Sequence, residues 1–367
     1  MSITISQYCA AFEPAVKAFN ERLIRGGIHY QFPVSLVPTT VENGPIVKRG
    51  FVALQDGEKV RGGYLLKEQH FWLNGRRTQV GYIHLPLSEG LIDRAYSTLG
   101  AQLLAHALKK RPLLFGLGIG SRDEAFAKLV LALGWKIEPV PFFFKVVQPF
   151  RVARGLSYAR HTRPRRVLCN VAAWTGTAWL SSQALQHRGA LRRMVNDRVE
   201  EVPSLDDIAD ETWDRDRWEY RFIGWRDRSA LQVAYPTGNK AYIRFRVFHG
   251  NVPIGWAVVL DTRMAGHKYF GNLRVGTIVD CLGDPQYAAR LMTAVSRELA
   301  LRGVDLVVTN QSARIWCTAL RANGFVHGPS NFLFAASAPL VKELSPFPAS
   351  LAALHLTRGD GDGPINL

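Results

Sequence analysis

The chain is short of the residues that staple or metallate proteins. Its 367 residues include only four cysteines, Cys9, Cys169, Cys281 and Cys317, far apart and without a CxxC pair. That spacing argues against a disulfide framework and against a zinc site. The ten histidines show no HxxxH or HExxH spacing, so nothing points to a metal. No run reaches the roughly 18 apolar residues that a membrane-spanning helix needs. The amino terminus, MSITISQYCAAFEPAVKAF, lacks the basic and apolar regions of a secretory signal. These absences lead to the expectation of a cytoplasmic protein. Acidic residues are scarce too: 30 Asp and Glu stand against 46 Lys and Arg, a formal net charge of +16. Such an excess attracts anionic partners, whether cofactor phosphates, lipid-linked sugar phosphates, an acidic membrane surface or nucleic acid. The remaining composition, 47% hydrophobic and 21% charged, is that of a globular protein with room for two cores.

What is present is a repeat. Residues 80–147 and 275–336 each read as strand, turn, helix, strand, helix ending in Gly-aromatic, strand. The first copy runs through VGYIHLPLSEG, LGAQLLAHALKK, PLLFGLGIG, DEAFAKLVLALGWK and PFFFKVV. The second runs through VGTIVDCLGD, YAARLMTAVSRELALRG, DLVVTN, ARIWCTALRANGF and NFLFAAS. Each copy has matching antecedents. Phe12, Val16, Phe19 and Leu23 recur at helical spacing. Strands are expected near 50–55, 60–72 and 77–85, with hairpin turns at Asp56-Gly57 and Asn74-Gly75, where positive φ is tolerated. In the second half, strands flank His249-Gly250-Asn251. A repeated supersecondary unit fixes fold class better than any single motif. The expected division is a lobe over 1–147, a linker over 148–204, a second lobe over 205–340 and a frayed tail over 341–367.

The linker is unusual. Residues 151–198 carry ten arginines, no lysine and one acid, Asp197, around the uncharged stretch VLCNVAAWTGTAWLSSQAL. It reads as a packed helix with basic arms. An interfacial helix on an anionic membrane surface is a further reading, because guanidinium groups suit phosphate oxygens. The segment WDRDRWEYRFIGWRD alternates aromatic and cationic residues. It reads as an amphipathic helix with Trp218, Phe222 and Trp225 inward. The other reading is that it stacks sugars or bases, or clamps substrate phosphates with Arg215, Arg217, Arg221 and Arg226. The run Phe115-Gly116-Leu117-Gly118-Ile119-Gly120 lacks the last glycine of a dinucleotide fingerprint. Its glycines suit a strand end passing close to a ligand or a neighbour. Asp123 is expected to cap the following helix.

This order of elements resembles the GNAT acyltransferase superfamily, and its tandem arrangement resembles Fem-type aminoacyltransferases and GNAT-like proteins of surface polysaccharide pathways. The resemblance implies an α/β (α+β) fold of two lobes, each a mixed, mostly antiparallel twisted sheet flanked by helices. It implies acetyl-CoA or another acyl-CoA as donor, no metal, and a sugar or related acceptor, small or lipid-linked. In that family the carrier lies where the fourth strand splays from the fifth, and its pyrophosphate meets a helix start. Mapped here, the donor site would use Leu85 and Leu87 on the strand, then Ser97, Thr98, Leu99, Gly100 and Ala101 at the turn. Only Gly100 matches a glycine of the family turn. The second copy has Asp284 and Pro285 there, an acid that repels phosphate and a residue without an N–H. The family's proton-donating tyrosine is replaced by Val130 in the first copy and Leu320 in the second. Acid–base work would then fall to His84, Glu89, Tyr96 or Cys281, which lie near the ends of the relevant strands. Two other readings stand beside an acyltransferase: a binding or scaffold protein on an inactive fold, and a nucleic-acid binder, against which speaks the absence of zinc fingers and RNP motifs.

Overall fold

The computed structural model describes residues 2–35, 44–155, 197–347 and 349–361. Most of the arginine-rich segment, with Cys169 and the expected packed helix, lies outside the described residues. In chain order the strands are β1 (Ile3–Gln7), β2 (Ile46–Gln55), β3 (Lys59–Leu73), β4 (Arg76–Ser88), β5 (Leu114–Leu117), β6 (Lys136–Pro139), β7 (Phe142–Val146) and β8 (Asp197–Glu201). They continue with β9 (Phe222–Gly224), β10 (Ile243–His249), β11 (Val252–Arg263), β12 (Arg274–Gly283), β13 (Leu306–Asn310), β14 (Val326–Gly328), β15 (Leu333–Ala336) and β16 (Leu354–His355). The helices are α1 (Glu13–Arg25), α2 (Leu99–Lys110), α3 (Ala125–Ala132), α4 (Pro149–Gly155), α5 (Asp206–Asp216), α6 (Arg228–Ala234), α7 (Ala288–Leu301), α8 (Arg314–Ala322) and α9 (Ala338–Glu343). None of these is long and apolar enough to cross a membrane.

The chain divides into two compact units. The first comprises residues 1–139, 221–225 and 331–350; the second comprises 140–220, 226–330 and 351–367. In unit 1 the sheet runs β1-β2-β3-β4-β5-β15-β6, with β9 also paired to β3. All neighbours are antiparallel except β4 and β5. The two hairpin turns form as the sequence predicts, with Asp56 at φ 50°, Gly57 at 80°, Asn74 at 48° and Gly75 at 83°. The apolar stripe Val16, Phe19 and Leu23 of α1 packs on Phe32, Val52, Leu54 and Val60. Leu99, Leu103, Leu104 and Ala107 of α2 cover Phe51, Tyr64, Leu66 and Ile83. Each such side chain contributes about 1.5–3 kcal/mol on leaving water. Phe71, Phe115, Phe222 and Phe334 form an aromatic cluster with ring centroids 4.4–6.3 Å apart.

Unit 2 repeats the plan, with strand order β14-β7-β13-β12-β11-β10-β8. Again one neighbouring pair, β12 and β13, is parallel. Helix α7 buries Leu291, Met292, Val295 and Leu299.

The last strand of each sheet comes from the other half of the chain. Phe142–Val146, which the linear repeat gives to the first copy, lies between β13 and β14 in unit 2. Leu333–Ala336, which it gives to the second, lies between β5 and β6 in unit 1. Both strands are short and apolar, and such a pattern does not specify which sheet receives it. The segment 213–227 also differs from expectation. Its helix stops at Asp216, Trp218 is 60% exposed, and Phe222–Gly224 is a strand. Aromatic residues favour a strand once a neighbouring edge is available, and β3 supplies it. Asp123 does not cap α3, whose N-cap is Glu124 without a side-chain bond. The described part of the tail is not frayed: Leu354, His355, Leu356 and Thr357 are fully buried.

Candidate functional site

The parallel pair in unit 1 is short. β4 and β5 pair only at Gly81↔Leu114 and Tyr82↔Phe115, after which β4 runs on to Ser88 beside β3 alone. The cause is a bulge. Leu65 faces His84 while Gly63 faces Leu87, so three steps along β4 match two along β3. The extra residue is accommodated at Leu85, which has φ 45°, the left-handed region that non-glycine residues rarely enter. Gly62 and Gly63 allow the backbones to close here. A Cβ on Gly62 would stand 2.8 Å from the Leu87 carbonyl oxygen, and one on Gly63 would stand 2.7 Å from that of Phe51. Between His84 and Leu87 the only peptide N–H belongs to Leu85, because Pro86 has none.

Past the bulge the chain turns into α2. Asp93 accepts the Ala95 N–H at 2.9 Å and sets the entry. The first turn of α2 carries no acid, which suits an anion at the positive end of its dipole. Ser97 and Thr98 are exposed there, while the Leu99 side chain is in the core and leaves only its backbone to the turn. A Cβ on Gly100 would lie 3.8 Å from the Ser88 hydroxyl and 3.4 Å from Leu129. The structure thus brings Ser88, at the end of β4, beside Gly100 in the first turn of α2, with Ser97, Thr98, Leu99 and Ala101 flanking it in the chain, while Leu85, three residues earlier on β4, packs against the α1 core. Leu87 turns its side chain into the α1 core.

One face of the sheet beside the bulge is cationic. Lys48 faces Lys67, and Lys67 faces Tyr82, in register across three strands. The Lys67 ammonium lies 5.2 Å over the Tyr82 ring, and His84 meets the same ring edge-on at 5.9 Å. Burial, then the Lys67 and Lys48 charges, push the His84 imidazole down to about 4. His84 is therefore neutral at physiological pH, and the same surroundings make it a weak base. The Tyr82 hydroxyl donates to the Leu117 carbonyl at 3.2 Å, covering an acceptor where β5 has lost its neighbour. Tyr82 and Lys67 were not singled out from sequence. The signal was their alignment in strand register with His84, which only the pairing reveals.

The other candidates have structural work. Glu89 is 2% exposed and is gripped by Arg22 Nε and Arg61 Nη1, each at 2.5 Å, so its oxygens face guanidinium groups rather than a substrate. Tyr96 is buried; its hydroxyl donates to Gln55 at 2.9 Å and its ring lies 4.7 Å under Arg61. Cys281 is fully buried on β12, and burial, then the Asp280 charge, raises its thiol pKa well above the usual range, which favours the unreactive thiol. Arg226 is 3% exposed and bridges Asp280 and Asp360 at 3.0 Å each, so it is not a substrate ligand. Arg221 bonds Asn74 and the carbonyls of Glu343 and Ser345 inside unit 1. Arg217 pairs with Asp214 and stacks on Trp218. Val130 and Leu320 are both fully buried. Among the described residues no group of His, Cys, Asp and Glu could hold a metal ion.

The fold is similar to that of solved structures described as acyltransferases or probable acyltransferases. A protein of unknown function from Enterococcus faecalis, described as a probable N-acyltransferase, aligns with 95% of this chain and 75% of its own, at 9% identity and TM-score 0.53. A GCN5-related N-acetyltransferase from Anabaena variabilis aligns with 94% and 74%, at 12% identity and TM-score 0.54. The glucosamine N-acetyltransferase region of a fungal β-N-acetylglucosaminidase covers 91% of this chain at 13% identity and TM-score 0.51, the match spanning 38% of that longer protein. No family model and no curated protein matches the sequence. The likeness covers both units: the chain has a tandem GNAT fold.

Proposed function

We propose that unit 1 transfers an acyl group from a CoA-type thioester to an amine or hydroxyl acceptor. The observation that carries this reading is the bulged, splayed end of β4 leading directly into an acid-free helix start. An extended pantetheine arm would lie along β4, with its pyrophosphate at the N–H groups of Leu99, Gly100 and Ala101. The Leu85 N–H would polarise the thioester carbonyl. The acceptor attacks that carbon, the new C–N or C–O bond forms, and the C–S bond breaks. The proton lost by the acceptor passes to neutral His84 and on to solvent. Because Val130 offers no proton, the departing thiolate takes one from water.

The sugar acceptor belongs to the same reading, as does a cytoplasmic setting. The resemblance in element order supports the sugar, the absence of a signal-like amino terminus motivates the setting, and no residue of the site selects a sugar. Calorimetric titration with acetyl-CoA, followed by free-thiol assay against amino-sugar, sugar and simple amine acceptors, tests the proposal. Binding with acceptor-dependent thiol release is the expected result. A second reading, a non-catalytic binding protein, draws on the Tyr82–Leu117 hydrogen bond across the gap. It predicts no thiol release with any acceptor.

A further inference from the structure

Unit 2 has its own splay, and the chain's carboxy-terminal segment fills it. β12 and β13 pair in parallel from Val275↔Leu306 to Ile278↔Thr309. β12 then bulges, with Val258 facing Asp280 and Val259 facing Ile278 on β11, as β4 does against β3. Beyond that point the two strand ends are bridged by residues 354–357. On the β13 side, the Ser312 N–H donates to the Leu356 carbonyl at 3.2 Å, and the Leu356 N–H donates to the Ser312 hydroxyl at 2.8 Å. Gln311 and Thr357 form an antiparallel bridge. On the β12 side, His355 Nε2 donates to the Cys281 carbonyl at 2.8 Å and the Thr357 hydroxyl to Asp280 at 3.1 Å. Backbone polar groups at a splayed pair of strands demand partners when buried, and this segment supplies them.

A buried clasp holds it. Arg226 bonds Asp280 and Asp360 together, and Tyr235 donates to Asp280 at 2.9 Å. Gly359 packs so closely on this group that a Cβ there would stand 1.9 Å from the Tyr235 oxygen. His355 stacks on Tyr220 at 4.9 Å.

We infer that the second splay is a binding site for an extended, amide-bearing chain and that the protein occupies it in cis with residues 354–357. The tandem fold therefore offers one donor site, in unit 1; that clause rests on the function proposed above, while the occupied splay does not. Amide hydrogen exchange on the full chain tests the occupancy. The Leu356 amide should exchange as slowly as those of β13, and Ser312→Ala should speed exchange over 354–357 about tenfold while leaving β10 and β11 unchanged. Asp360→Asn, which loosens the clasp from the other end, should act on the same segment. Exchange at the rate of an unstructured peptide, or an unchanged rate in both variants, overturns the inference. Calorimetry should give one equivalent of acetyl-CoA for the unaltered chain, and the same equivalent bound at least about tenfold more weakly for Gly100→Glu. A second equivalent, or one bound with unchanged affinity in Gly100→Glu, overturns the single-site clause. No binding to the unaltered chain, with slow Leu356 exchange, sinks the reading of unit 1 and leaves the occupied splay standing.

Discussion

Phe334 lies opposite Leu117 in antiparallel register, 217 residues later in the chain. Through this pair β15 closes the gap between β5 and β6, and Phe334 is fully buried against Phe115 and Phe222. A fragment ending at residue 147 lacks that inner strand and should not fold; adding a peptide spanning 331–350 should raise its strand content by circular dichroism. Phe334→Ala should cost about 3–5 kcal/mol in urea unfolding. A cooperatively folding 1–147 fragment would contradict the strand exchange.

Gly100→Glu separates stability from binding. A carboxylate in the first turn of α2 suits the helix dipole and should leave Tm unchanged or slightly raised, by about 0.3–1 kcal/mol equivalent. The same charge repels a pyrophosphate, so the dissociation constant for acetyl-CoA should rise at least about tenfold. Unchanged affinity would remove the helix start from the donor site.

Glu89→Gln reports on structure rather than proton transfer. Losing the buried carboxylate strands Arg22 and Arg61 side by side, at about 2 kcal/mol after allowing for their part exposure. Turnover per folded molecule should persist. A large fall in kcat at constant Tm would restore Glu89 as a base.

Arg226→Met leaves Asp280 and Asp360 buried without their shared cation and should cost about 3–5 kcal/mol. Removing the half-exposed Arg228, paired with Asp210 at 3.4 Å, should cost under about 1 kcal/mol. Urea midpoints of the two variants give the comparison directly.

Acid should destabilise the fold through two histidines. Burial, then Arg226, pushes His355 down to about 3, and His84 sits at about 4. Below the ordinary histidine pKa of about 6.5 the unfolded chain takes up protons that the folded chain refuses, so stability falls as pH drops from there toward 3. Tm measured from pH 7 to 4 should fall less steeply in His355→Gln than in the unaltered chain. The rate of transfer should show no inflection near pH 6.5, since His84 stays neutral there.

The repeat, both hairpin turns and the faces of α1 and α2 were legible in the sequence, because turn chemistry and helical periodicity are local. The strand-to-helix turn from β4 into α2 was legible through the resemblance in element order. Arg226, Cys281 and Glu89 misled because charge and nucleophilicity can be read from a residue, whereas burial and partners cannot. Asp280, Asp360 and Arg226 meet only after 134 residues of chain have folded back. Trp218 and Phe222 misled for another reason: a pattern that fits a helix yields to a strand when a sheet edge is near.

The sequence by itself determined two GNAT-like cores, a large positive charge and a degenerate second turn at Asp284-Pro285. Tertiary structure decided which strand completes which sheet, which polar groups remain open to a ligand, and that the second splay is closed by the chain's own tail. Those outcomes depend on pairing between distant segments, whose registry is set by long-range burial and hydrogen-bond satisfaction and leaves no mark in any local pattern.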